Sequence, residues 1–231
     1  MTHIGKLVYR RDIDGLRAIA ILSVLVFHAW PALLPGGFVG VDIFFVISGY
    51  LISGILIKDL SNHRYSILEF YRRRVRRIFP ALFLVLFAVL VVGWLSLLQG
   101  EFSALGKHIA GGASFIANLV LWKDAGYFDP DARLKPLLHL WSLGIEEQFY
   151  LFWPLMLAFC SRRRIGFALP ILLIAAVSFA LNLAKVSSAP VTTFYVPVTR
   201  LWELLIGAWL ANLQSSGDPR FKWSAWLTGD V

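Results

Sequence analysis

Ionisable residues that stand inside or beside apolar runs are the places where this sequence could do chemistry. A charged group costs roughly 2.5–3.5 kcal/mol at the centre of a membrane helix on insertion scales, so such residues are functional candidates by default. His28 interrupts an apolar run, and Arg17 precedes it by eleven positions. Eleven residues make about three helical turns and roughly 16 Å of rise, so one helix face carries both side chains. Asp42 opens the next apolar run across the short turn at residues 31–38. That places a carboxylate at the depth of the imidazole, where it fixes the tautomer and raises the basicity of the ring. The plainer reading of Asp42 is a helix-start carboxylate held by the N-terminal dipole. His139 and Glu146 are seven apart and share a helix face, with Glu147 about 100° round. Arg200 and Glu203 open a later apolar run, and Arg200 is placed to pair with Glu146 or Glu147. Structural ion pairing is the plainer reading of these four.

The string RRRVRRI at residues 72–78 is the strongest cationic feature. Arginine holds phosphate bidentately, which suits a phosphate-bearing small molecule. A topogenic, lipid-contacting cluster is the plainer alternative. No G-x-S-x-G elbow, P-loop, G-x-G-x-x-G or H-E-x-x-H string occurs, and no His is followed five residues later by Asp. The single cysteine, Cys160, leaves no intrachain disulfide and no thiolate metal site, and it reads as a small apolar helix residue.

The elements that must position these residues are membrane helices. Hydrophobic residues make up 58% of the 231, and charged residues only 16%, against about 25% in an ordinary soluble domain. A crossing helix needs about 20 apolar residues. Six runs qualify: residues 18–34, 38–57, 78–98, 137–159, 165–184 and 194–213. A seventh, at 109–122, is shorter and suits a re-entrant or interfacial helix. The expected fold is an all-α polytopic bundle of about six spans plus that short helix. The net charge of +8 is not a sign of nucleic acid, because the positive residues fall between apolar runs and fix orientation. With Lys6, Arg10 and Arg11 in the cytoplasm, six spans place residues 72–77, 162–164, Arg220 and Lys222 inside as well. Counting 109–122 as a span would put residues 162–164 outside, against the positive-inside rule. The connections are too short for a separate soluble domain, no internal repeat is visible, and the run at 223–227 looks like the start of a further segment.

The strings IDGLRAIAILSVLVFHAW, GGFVGVDIFFVISGYLI, YRRRVRRIFPALF, GYFD and HLWSLGIEEQFYLFWP resemble, in order and over nearly the whole chain, membrane acyltransferase family three. Within it they are most similar to the bacterial O-antigen and surface-polysaccharide O-acetyltransferases, which act on lipopolysaccharide and related glycans. The resemblance implies one membrane acyltransferase domain over residues 1–231, multi-pass in the bacterial inner membrane with a cytoplasmic N-terminus. It implies acetyl-CoA as the acyl donor, a glycan hydroxyl as acceptor, and no metal. The family's Arg-(ten residues)-His motif falls on Arg17 and His28, its arginine-rich motif within residues 72–77, and its acidic block on Glu146 and Glu147. Family members carry about ten spans of roughly 20 residues each, so this chain reads as C-terminally incomplete, and nothing in it matches the periplasmic SGNH domain many relatives add.

The expected roles follow. Arg17, Arg73, Arg74, Arg76 and Arg77 hold the CoA phosphates. His28, oriented by Asp42, acts as general base on the acceptor hydroxyl or carries the acetyl group, with Glu146 and Glu147 in the catalytic set. His139, Arg200 and Glu203 bind the acceptor. The partners are the lipid bilayer, acyl-CoA and the glycan, with no nucleic acid. Two other classes stay open. A proton-coupled transporter or channel also uses intramembrane carboxylates and histidines, and an inactive truncated scaffold is the third reading.

Overall fold

The structure, a computed structural model, describes residues 10–125 and 135–216. Lys6, the GYFD string, Arg220, Lys222 and the run at 223–227 lie outside them. The described chain is helical: α1 (Arg11–Ala29), α2 (Gly40–Ser61), α3 (Ile67–Ser96), α4 (Gln99–Ala113), α5 (Ala117–Asp124), α6 (Leu140–Arg162), α7 (Ala168–Lys185), α8 (Pro190–Tyr195) and α9 (Leu201–Ser215), with 3₁₀ turns at Gly37–Val39 and Pro197–Thr199. No strand occurs among the described residues. Three stretches are long and apolar enough to cross a membrane: Gly37–Ser61, Ile67–Ser96 and Ala168–Lys185. The other three expected spans fall on α1 and α6, which carry several of the ionisable residues above, and on α9, which has 15 residues.

Two expectations change. The arginine string lies on a helix and not in a connection. α3 runs 30 residues, about 45 Å, and includes residues 72–77 in its opening turns. Ser66 caps it by accepting the Glu69 N–H at 3.4 Å, and Glu69 lies 3.7 Å from Arg72 and 4.0 Å from Arg73, one helical turn on. A cap and pairs at these spacings keep a strongly basic segment helical. The short run at 109–122 is likewise not one helix. It breaks at Phe115, whose φ is 56°, and α5 then turns against α6. Buried Asn118 fastens the turn. Its Nδ2 donates to the Tyr195 carbonyl at 3.0 Å, and its Oδ1 accepts from Gln148 Nε2 at 2.9 Å, which also donates to the Phe115 carbonyl. A backbone that leaves the helix at membrane depth must be satisfied by such partners.

α2 is the central helix. It packs along α9, with which it runs parallel, and against α1 and α6. The α2–α9 contact is backbone on backbone: a Cβ on Gly49 would overlap the Leu204 carbonyl, and one on Gly207 would overlap the Val46 carbonyl. Small residues allow this approach, which apolar burial alone does not drive in lipid. Gly40 lets the Ala20 carbonyl of α1 come equally close. Deeper in, Trp153 Nε1 donates to Ser53 Oγ at 2.8 Å, linking α6 to α2, within a core that includes Phe45, Ile145, Leu157 and Leu204.

Candidate active site

α1 turns one stripe toward the bundle. Ile13 and Ala20 on it are buried, and Arg17, Val24 and Phe27 are half-buried at the same i, i+4, i+7 recurrence. Arg17 is therefore half-buried on the face turned to the bundle, His28 further along α1 is exposed, and no carboxylate among the described residues pairs with Arg17. Below it, Arg10 bonds Asp12 at 2.6 Å and Tyr50 at 3.2 Å, and the Tyr50 hydroxyl donates to Gln214. The Arg10 guanidinium holds the Asp12 carboxyl below the usual carboxylate range. This cluster ties the start of α1 and the end of α9 to the middle of α2, and it was not visible in the sequence because it joins positions 40 and 164 residues apart.

At the other end of α1, His28 Nδ1 lies 2.8 Å from the Val24 carbonyl oxygen. A carbonyl oxygen only accepts, so Nδ1 donates and Nε2 holds the lone pair of the neutral ring. The expected orienting partner, Asp42, is engaged elsewhere: it accepts from Arg200 Nη2 at 2.5 Å. The ring against His28 is that of His139, with centroids 4.7 Å apart. His139 stands in the turn just before α6 and so lies at the helix start, not inside a span.

Arg200 does not pair with Glu146 or Glu147. Because α2 and α9 run parallel, their first turns meet, and Asp42 in one reaches Arg200 at the cap of the other. Arg200 Nε also lies 3.2 Å from Glu203 Oε1, and its guanidinium sits 5.6–5.7 Å from the rings of Phe45, Trp141 and Phe194. Glu203 is 1% exposed, so it faces the core and backs Arg200 and does not open on solvent.

Glu147 is taken by Arg74, at 2.5 Å, with side chains 13% and 15% exposed. The Arg74 guanidinium also lies 3.6 Å over the Tyr150 ring, and the Tyr150 hydroxyl donates to Glu146 at 3.1 Å. Ser48 on α2 lies beside Glu146. Arg74 is thus committed inside the bundle, while its neighbours point out. Arg73 is 3.8 Å from Asp59, and Arg76 and Arg77 are exposed without a carboxylate partner among the described residues. Helical phase explains the split, since only one position in the string can face α6. Tyr150 was missed in the sequence because a phenol in an aromatic-rich span looks like core.

Two comparisons bear on what such a bundle does. The family model described as "Acyltransferase domain" matches residues 10–229. The chain belongs to acyltransferase family three. It is 37% identical over 211 residues to the protein named "Putative peptidoglycan O-acetyltransferase YrhL" of Bacillus subtilis (strain 168), covering 88% of this chain and 33% of that one. It is 36% identical over 211 residues to "O-acetyltransferase OatA" of Staphylococcus aureus (strain NCTC 8325 / PS 47), covering 88% and 34%. The chain spans about a third of the length of the curated relatives it matches. No solved structure matches. Membership of acyltransferase family three fits a helical membrane bundle, and among the described residues no group of His, Cys, Asp and Glu could hold a metal ion. The candidate residues read from the sequence gather in three places, His28 with His139, Asp42 with Arg200 and Glu203, and Arg74 with Glu146 and Glu147, while Arg17, Arg73, Arg76 and Arg77 stand apart from these.

Proposed function

We propose that this chain supplies the membrane part of an O-acetyltransferase that passes an acetyl group from cytoplasmic acetyl-CoA to a hydroxyl of an envelope glycan. The observation that carries the reading is α1: one helix face bears a half-buried arginine without a carboxylate partner among the described residues and, about 16 Å along, an exposed imidazole whose Nδ1 is taken by the Val24 carbonyl, which leaves the lone pair on Nε2. A buried-side cation without a counter-charge suits an anionic ligand, and CoA is a phosphate-bearing one. In the proposed arrangement Arg73, Arg76 and Arg77 hold the phosphates at the cytoplasmic side of the inner membrane, and Arg17 receives the arm of the donor. His28 Nε2 takes the proton of the acceptor hydroxyl as oxygen attacks the thioester carbon, or takes the acetyl group itself and passes it on. The C–S bond breaks and the proton ends on the CoA thiol. Arg200, backed by Asp42 and Glu203, lies on the acceptor side with Trp141 and Phe194. The relative named a peptidoglycan O-acetyltransferase supports a cell-wall glycan as acceptor ahead of an O-antigen.

The test uses the intact protein in its membrane. His28→Ala is expected to lower acetyl transfer by about a hundred- to ten-thousand-fold, the usual range for loss of a general base, with acetyl-CoA binding retained. Arg76→Gln with Arg77→Gln is expected to weaken acetyl-CoA binding while the protein still inserts. A wild-type protein that binds no acetyl-CoA but carries protons across vesicles would sink the reading in favour of a carrier.

A further inference from the structure

We propose that His139 is a positioning residue of the transfer centre: its ring holds the His28 imidazole in the orientation that leaves Nε2 open. This deepens the acyltransferase reading and rests on it. The His28 ring is held from three sides, each by a different chemistry. The Val24 carbonyl, one turn back on α1, accepts from Nδ1 at 2.8 Å. Phe27 stands edge-on to it, with centroids 5.2 Å apart and planes at 86°. Those two contacts come from α1 itself and move with it. The third comes from another part of the chain: the His139 ring, 4.7 Å away and tilted by 49°. It is therefore the contact that fixes the imidazole relative to the rest of the bundle.

The turn that carries His139 is itself well braced. The Leu140 N–H donates to the Leu137 carbonyl and the Leu138 N–H to the Lys135 carbonyl, both at 3.1 Å, and Leu137 is buried at 4% exposure. Two residues on, Trp141 is packed into the core beside Phe45 and the Arg200 guanidinium. In many imidazole bases a carboxylate sets the ring orientation. Here the carboxylate expected to orient the ring, Asp42, is held by Arg200, so a carbonyl and a second ring share the orienting duty. His139 is exposed, and an exposed histidine at a helix start has no structural need to be an aromatic base. The ring contact gives it one.

Hydrolysis of acetyl-CoA, with water in place of the glycan hydroxyl, separates this role from acceptor binding. Water adds to the thioester carbon, His28 takes its proton, the C–S bond breaks, and acetate and the CoA thiol are released. For His139→Ala we expect CoA release to fall by about ten- to a hundred-fold, the scale of an ångström-level misplacement, with KM for acetyl-CoA unchanged. His139→Phe keeps a ring in place and is expected to restore most of the rate. Ester-linked acetate on the envelope glycan of cells making each variant gives a second readout and should follow the same order. Wild-type CoA release by His139→Ala with lowered glycan acetate would place His139 in acceptor binding and overturn the proposal. So would a loss that phenylalanine does not restore, which would mean the imidazole itself is needed. His28→Ala run in parallel keeps the failures apart: full activity there would remove the transfer centre itself.

Discussion

Arg74 shows how little a residue's type says about its use. In the string it is one of five arginines, indistinguishable from its neighbours, and it was grouped with them as a phosphate ligand. The helix rotates it alone onto α6, where Glu147 and the Tyr150 ring receive it. A buried pair that loses one partner leaves an uncompensated charge, so Arg74→Met is expected to destabilise the protein by about 3–5 kcal/mol. Arg74→Met with Glu147→Leu should regain most of that, since apolar replacement of both partners is often near neutral. Thermal unfolding of the detergent-solubilised variants checks the order. The same double variant should bind acetyl-CoA as the wild type does, and a clear loss of affinity would return Arg74 to the donor site. Spacing along one helix gives Arg17 and His28 a common face. Pairing was not legible where a partner comes from a distant helix, as for Asp42 with Arg200, because spacing along the chain says nothing about which helices touch.

Helices in this molecule are joined by polar groups placed where a backbone would otherwise go unsatisfied. Pro154 inside α6 has no N–H for the Tyr150 carbonyl. The Tyr71 hydroxyl of α3 fills the gap, lying 2.8 Å from the Leu151 carbonyl and 3.4 Å from that of Tyr150. Tyr71→Phe is expected to cost about 1 kcal/mol. The cost should shrink when Pro154→Ala restores the missing helix bond, and a double-mutant cycle on unfolding measures the coupling. Additive effects would show that the hydroxyl and the proline are unrelated. The extent of α3 could have been read from the string Ser66-Ile67-Leu68-Glu69, a capping signature two residues ahead of the basic run. The break at Phe115 had no comparable signal, since it depends on Asn118 finding partners on α6 and near α8.

For the whole molecule, composition and hydropathy sufficed to predict a helical membrane bundle. Span counting was less secure, because the helices that hold the ionisable residues are the ones whose hydropathy those residues lower. The basic residues at the ends of α2, α3 and α6 are the ground for the proposed orientation. Single cysteines at Ser61 and Arg163 are expected to react with an impermeant maleimide only from the cytoplasmic side, and one at Ser188 only from outside. Cytoplasmic labelling at Ser188 would invert the scheme and require 109–122 to cross. One feature of the packing has a broader consequence. α1 buries only Ile13 and Ala20, while Ile19, Leu22 and Leu25 stay between 58% and 59% exposed. The helix that bears His28 thus turns an apolar face away from the described bundle, a face whose chemistry suits acyl chains. Under the proposed function, a change in acyl-chain length or order that tilts α1 would carry the imidazole with it, and acetyl transfer would then vary with the fluidity of the bilayer.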